Sequence, residues 1–95
     1  MATKGKSSTK RKSSRAPKSK YFWVVDGTVI RGLKELAEAV DAMDYNIFEH
    51  HVNNGRNDFA TWVEDVFELD NLSRDLRTTQ DKNRTVITIL KHLVK

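Results

Sequence analysis

Ninety-five residues allow one domain, and a chain this short buries only about 60% of its unfolded surface, so the core it can build is small. It has no cysteine, which excludes a disulfide framework and a thiolate metal site. No apolar run approaches the roughly 20 residues that span a bilayer, and no apolar segment follows the first lysines as it does in a secretory signal. A soluble cytoplasmic protein with no membrane partner is therefore expected.

The formal charge of +4 is unevenly distributed. Residues 1–20 carry Lys4, Lys6, Lys10, Arg11, Lys12, Arg15, Lys18 and Lys20 with no acid, whereas residues 21–95 hold nine Lys/Arg against thirteen Asp/Glu. The basic character belongs to the first twenty residues and the remainder is mildly acidic, the signature of an arm that binds polyanions. Those twenty residues also lack any large apolar side chain after Met1, so they cannot offset the entropy of ordering. The expected organisation is a disordered basic tail over 1–20 and a single small globular domain over 21–95.

Tyr21 to Val25 and Thr28 to Ile30, aromatic and β-branched, flank Asp26-Gly27 and predict an N-terminal β-hairpin with a two-residue type I′ turn. That register groups Phe22, Val24 and Val29 on one face and Tyr21, Trp23, Val25 and Ile30 on the other. Leu33, Leu36, Ala37, Val40 and Met43 recur at helical spacing, with Lys34, Glu35, Glu38 and Asp41 facing water. Asp44 is placed to cap a second helix through Ile47, Phe48 and His51, which Asn53-Asn54-Gly55 ends by tolerating left-handed conformations.

Asn57 caps the next helix, and Asp58 sits in its first turn facing the positive end of the helix dipole. Phe59, Trp62, Val63, Val66 and Phe67 then form an i, i+3, i+4, i+7, i+8 stripe that must be buried. Asp70 starts a short helix holding Leu72 and Leu76. Thr78, Thr79 and Asp81 offer caps for a last helix whose stripe is Val86, Ile89, Leu90, Leu93 and Val94. The fold class is α+β, mostly α: one N-terminal hairpin followed by four or five short helices around one core.

His50 and His51 point about 100° apart on a helix and cannot share a metal ion. His51 falls on the inward side with Phe48 and Val52, as a structural ring with Asn57 and Asp58 both within reach as partners. Asp58 and Asp65 lie near two turns apart, but no further ligands accompany them. Trp62 reads as core, whereas Trp23 on a ribbon can stack on a base. No catalytic residue, metal or cofactor is expected.

Asp26-Gly27, Leu33 and Leu36, His51-Val52, and the run Asn57-Asp58-Phe59-Ala60 with Trp62, Asp65 and Val66 resemble a small domain family of unknown function. It has the pattern DG…I..L.EL…HV…NDFA.W..DV and occurs in archaeal and bacterial proteins, alone or attached to larger chains. The likeness covers roughly Tyr21 to Leu76 and implies a prokaryotic intracellular protein; it implies no activity.

Function must therefore be read from charge. Eight cations on a flexible segment neutralise phosphates and release counterions without reading sequence, which points to a non-enzymatic, nucleoid-associated protein that binds nucleic acid, duplex DNA first. Arg74, Arg77, Lys82, Arg84, Lys91 and Lys95 outnumber Asp75 and Asp81 and mark a second basic face, with Lys82, Arg84, Lys91 and Lys95 on the final helix. Helices at 45–52 and 58–68 around a Gly-containing turn have helix-turn-helix spacing, but Thr61, Glu64, Asp65 and Glu68 would meet phosphate with negative charge. The alternative is a protein–protein interaction module whose body binds a partner or a second copy, with the tail serving solubility.

Overall fold

The computed structural model describes residues 15–94. Residues 1–14 of the disordered arm expected over 1–20 lie outside them, and with them Lys4, Lys6, Lys10, Arg11 and Lys12; so does Lys95. Arg15 to Lys20, expected to belong to that arm, instead pack on the body. Arg15 bridges Gly32, and the Ala16 N–H donates to the Arg31 carbonyl at 2.8 Å. Ala16 is buried, and a single 3-10 turn, Lys18–Lys20, leads into the domain. Main-chain hydrogen bonds make this attachment, so it needs no apolar run. The folded body therefore includes residues that hydropathy assigns to the arm.

Strands β1 (Phe22–Trp23) and β2 (Val29–Ile30) pair antiparallel, with Phe22 opposite Ile30 and Trp23 opposite Val29. The expected two-residue type I′ turn is not formed. Val24 N–H donates to the Thr28 carbonyl, Gly27 N–H donates to the Val24 carbonyl, and Gly27 sits at φ +94°. This is a three-residue loop closed by a left-handed glycine. The extra residue shifts the register by one and exchanges Val29 and Ile30 between faces. Phe22, Val24 and Ile30 consequently face the core, with Ile30 fully enclosed, while Trp23 is 68% exposed. This hairpin is neither N-terminal in the folded body nor alone.

Helix α1 (Leu33–Ala42) buries Leu33, Leu36, Ala37 and Val40. Helix α2 (Tyr45–His51) buries Phe48 and His51; Asp44 occupies its N-cap position without a side-chain cap bond. The chain then enters a second hairpin, β3 (Val52–Asn53) with β4 (Arg56–Asn57), joined by Asn54-Gly55. No residue of that loop has positive φ, so the left-handed helix terminus expected at Asn53-Asn54-Gly55 is absent. Asn53 stabilises the turn instead: its Oδ1 accepts from Gly55 N–H at 2.9 Å and its Nδ2 donates to the Glu49 carbonyl at 3.0 Å. A hairpin between α2 and the next helix replaces the simple turn of a helix-turn-helix.

Helix α3 (Asp58–Trp62) buries Phe59, Ala60 and Trp62, then widens into a π-helical segment, Val63–Phe67. The Trp62 and Phe67 rings meet edge to face at 5.1 Å across it. Glu68 ends the run in the left-handed region at φ 57°. Helix α4 (Asp70–Leu76) buries Leu72, Ser73 and Leu76.

Helix α5 (Lys82–Leu93) packs along α1 and presents Thr85 and Ile89 to the core, with Val86 and Leu93 half-buried. Its apolar stripe is narrower than expected, since Leu90 and Val94 are exposed. Among the described residues the chain is mostly helical, with five α-helices and two small antiparallel hairpins. No helix there is long and apolar enough to cross a membrane.

Candidate functional site

His51 ends α2 beside the first hairpin, where it is 5% exposed and flanked by Phe22 and Phe59 with ring centroids at 5.3 Å each. Its Nε2 lies 3.1 Å from the Val25 backbone N–H, a group that can only donate, so Nε2 is the acceptor. The proton of the neutral ring is thereby on Nδ1, which donates to Asp58 Oδ2 at 2.9 Å. Asp58 Oδ2 also lies 3.5 Å from Arg56 Nε, and Arg56 Nη2 donates to the His50 carbonyl at 2.6 Å. Both ring nitrogens are committed to protein partners. The arrangement ties a hairpin loop to the start of α3 and leaves the ring no nitrogen for a ligand or a proton transfer.

His50 is exposed, its ring meeting the His51 ring edge to face at 4.9 Å, and Asp65 is exposed in the π-helical segment. Among the described residues no group of three or more His, Cys, Asp or Glu is placed to hold a metal ion.

Asn57 is buried and committed at both ends. Its Oδ1 accepts the Ala60 N–H at 3.0 Å, capping α3, and its Nδ2 donates to the Leu76 carbonyl at 3.1 Å, the end of α4. Trp62 is core, and its indole Nε1 donates to the Lys20 carbonyl at 2.8 Å. That bond fixes the point where the basic N-terminal residues join the body. Sequence reasoning names His51, Asn57 and Trp62 but misses the partners Val25, Leu76 and Lys20. These offer main-chain atoms, which carry no side-chain signal.

Of the eight N-terminal cations, Arg15, Lys18 and Lys20 are described, and all three are exposed. Arg15 lies 4.0 Å from Glu35, whose carboxylate is mainly engaged by Arg31. The Arg31 guanidinium, then its backbone N–H, hold the Glu35 carboxyl below the usual glutamate range. In the same way the Thr28 backbone N–H, then its hydroxyl, lower the Asp26 carboxyl.

The second basic face expected from the sequence is reduced in the structure. Lys82 turns away from it, donating its ammonium to the Asp41 carbonyl of α1 at 2.9 Å. Positions two apart on a helix differ by about 200°, so Lys82 and Arg84 cannot share a face. Arg77 bonds Thr61 and lies 3.5 Å from Glu64, while Arg74 bonds Asn71. Arg84 and Lys91 are exposed and lie on one side of α5.

No protein-family model, curated protein or solved structure matches this chain.

Proposed function

We propose that this is a non-enzymatic nucleic-acid-binding protein that holds duplex DNA through sequence-independent phosphate contacts made by its Lys/Arg-rich N-terminal residues, in the manner of a nucleoid-associated protein. One observation carries the reading: residues 1–20 hold eight cations and no acid, while the rest of the chain carries an excess of acids. A body with a net excess of acids gives little overall attraction to phosphate, so most of the affinity comes from the arm. The bond from Trp62 to Lys20 and the pairing of Arg15 with Gly32 support the reading by giving the preceding five cations a fixed root. The commitment of both His51 nitrogens supports a structural rather than a catalytic centre.

The test is a titration of duplex DNA at two salt concentrations. It compares the full chain with a full-length variant carrying Gln at Lys4, Lys6, Lys10, Arg11 and Lys12. Each cation on a phosphate contributes about 0.9 to the slope of log K against log salt, so with five removed the variant's slope falls by about 4.5 at most. Equal affinities at both salt concentrations overturn the proposal.

A second reading, a protein-interaction module, is favoured by Ile87 and Leu90 of α5 and Val94 just after it, which stand exposed at i, i+3, i+7. It predicts that mass in sedimentation rises with protein concentration, and that Leu90→Glu abolishes the rise.

A further inference from the structure

We infer that the groove between α4 and α5 is a second, fixed site for the backbone phosphates of nucleic acid, with Arg84 and Lys91 as its cations. The inference rests on the nucleic-acid reading above and gives the folded body a part in it. The groove has a volume of about 340 Å³. Arg84, Thr88, Lys91 and His92 form one wall and Asp75 and Thr78 the other. The first four lie at i, i+4, i+7 and i+8, a single face of α5. Among the described residues α5 is the one α-helix without an Asp or Glu, and its lining cations face a single carboxylate across the groove.

The hydrogen bonds show which groups can meet an anion. Thr88 donates its hydroxyl to the Arg84 carbonyl at 2.8 Å, and Thr78 donates to the Asp75 carbonyl at 2.6 Å. Both hydroxyl protons are therefore turned inward, and the charged ends of Arg84 and Lys91 carry the contact. These two residues stand two helical turns apart, about 10 Å along the axis. Three steps from nucleotide to nucleotide along one strand of a duplex advance about the same distance along its axis, at 3.4 Å each. That spacing lets each cation reach its own phosphate on one strand, a contact that carries no sequence information. The strip supplies orientation where the N-terminal cations supply attraction.

The experiment compares three full-length proteins on one duplex between 50 and 200 mM salt: the wild type, R84Q/K91Q, and the charge-matched K34Q/R74Q, whose two positions lie outside the groove. Two phosphates are worth about 1.8 in slope. Over this range the wild type is expected to lose about tenfold more affinity than R84Q/K91Q, while K34Q/R74Q follows the wild type. The backbone amides of Thr88 and His92 shift on adding duplex to the wild type, and R84K/K91R keeps the wild-type slope even if R84Q/K91Q melts early.

If R84Q/K91Q and K34Q/R74Q behave alike while the five-Gln N-terminal variant loses binding, the groove site is overturned and the proposed function stands. If the wild type binds no duplex even at 50 mM salt, both fail together.

Discussion

The Nε2 atom of His51 accepts the backbone N–H of Val25 at 3.1 Å, so a histidine at the end of α2 holds the loop of a hairpin that precedes it by 26 residues. The same ring donates its Nδ1–H to Asp58 Oδ2, joining three separate elements through one side chain. His51→Ala removes both bonds and leaves a cavity between Phe22 and Phe59. The expected cost is about 2–4 kcal/mol, or roughly 10 °C or more in Tm for a domain of this size. Duplex DNA affinity, measured by gel shift, should change less than stability, measured by melting. The reverse ranking would assign His51 to binding.

Asn57 offers a cleaner dissection, because its two side-chain bonds serve different helices. Asn57→Ala loses the α3 cap and orphans the Leu76 carbonyl, at a cost of about 2 kcal/mol. Asn57→Asp keeps the acceptor for Ala60 N–H but sets a carboxylate oxygen against the Leu76 carbonyl 3.1 Å away. If capping alone mattered, urea denaturation would show Asp restoring full stability. The expected result is that Asn57→Asp remains destabilised.

At Gly27 the cost of a side chain is purely one of backbone conformation. A Cβ there meets nothing within 4 Å, yet φ is +94°. Gly27→Ala is expected to destabilise by about 1 kcal/mol through strain in the left-handed region, with no loss of packing. A variant that melts with the wild type would show that the loop closes by another turn.

The pair of Arg31 with Glu35 predicts an acid-dependent contribution of definite sign. Hydrogen bonds from Arg31 depress the Glu35 carboxyl in the folded state relative to the unfolded chain. Its contribution is therefore present above the usual glutamate range and is lost as pH falls through the depressed folded value. The Tm of the wild type should exceed that of Glu35→Gln at pH 7, and the gap should close below about pH 4. A gap of constant size down to pH 3 would exclude the linkage. The Arg31 side chain is 52% exposed and that of Glu35 26%, so solvent screens the pair and the difference is small.

Periodicity and caps made most of the helical framework legible before any coordinates. Leu33, Leu36, Ala37 and Val40 repeat at 3.6 residues and are buried. Asn57 and Asp81 each accept the backbone N–H three residues on, which is the local chemistry their positions imply. His51 and Trp62 were likewise legible as inward side chains, because neighbours i±3 and i±4 define a face without reference to the rest of the chain.

Three other features were settled only when distant segments met. Asp26-Gly27 fits a loop of two residues or three, and the one-residue difference decides whether Val29 or Ile30 enters the core. Lys82 lies on a basic helix, yet the Asp41 carbonyl of α1 draws its ammonium away from Arg84. Arg15 to Lys20 read as a solvated arm but are held by the main chain of Arg31 and the indole of Trp62. Helical period and capping are set by interactions within one turn. Register, facing and attachment are set by main-chain atoms far along the chain, and every residue type presents those atoms alike.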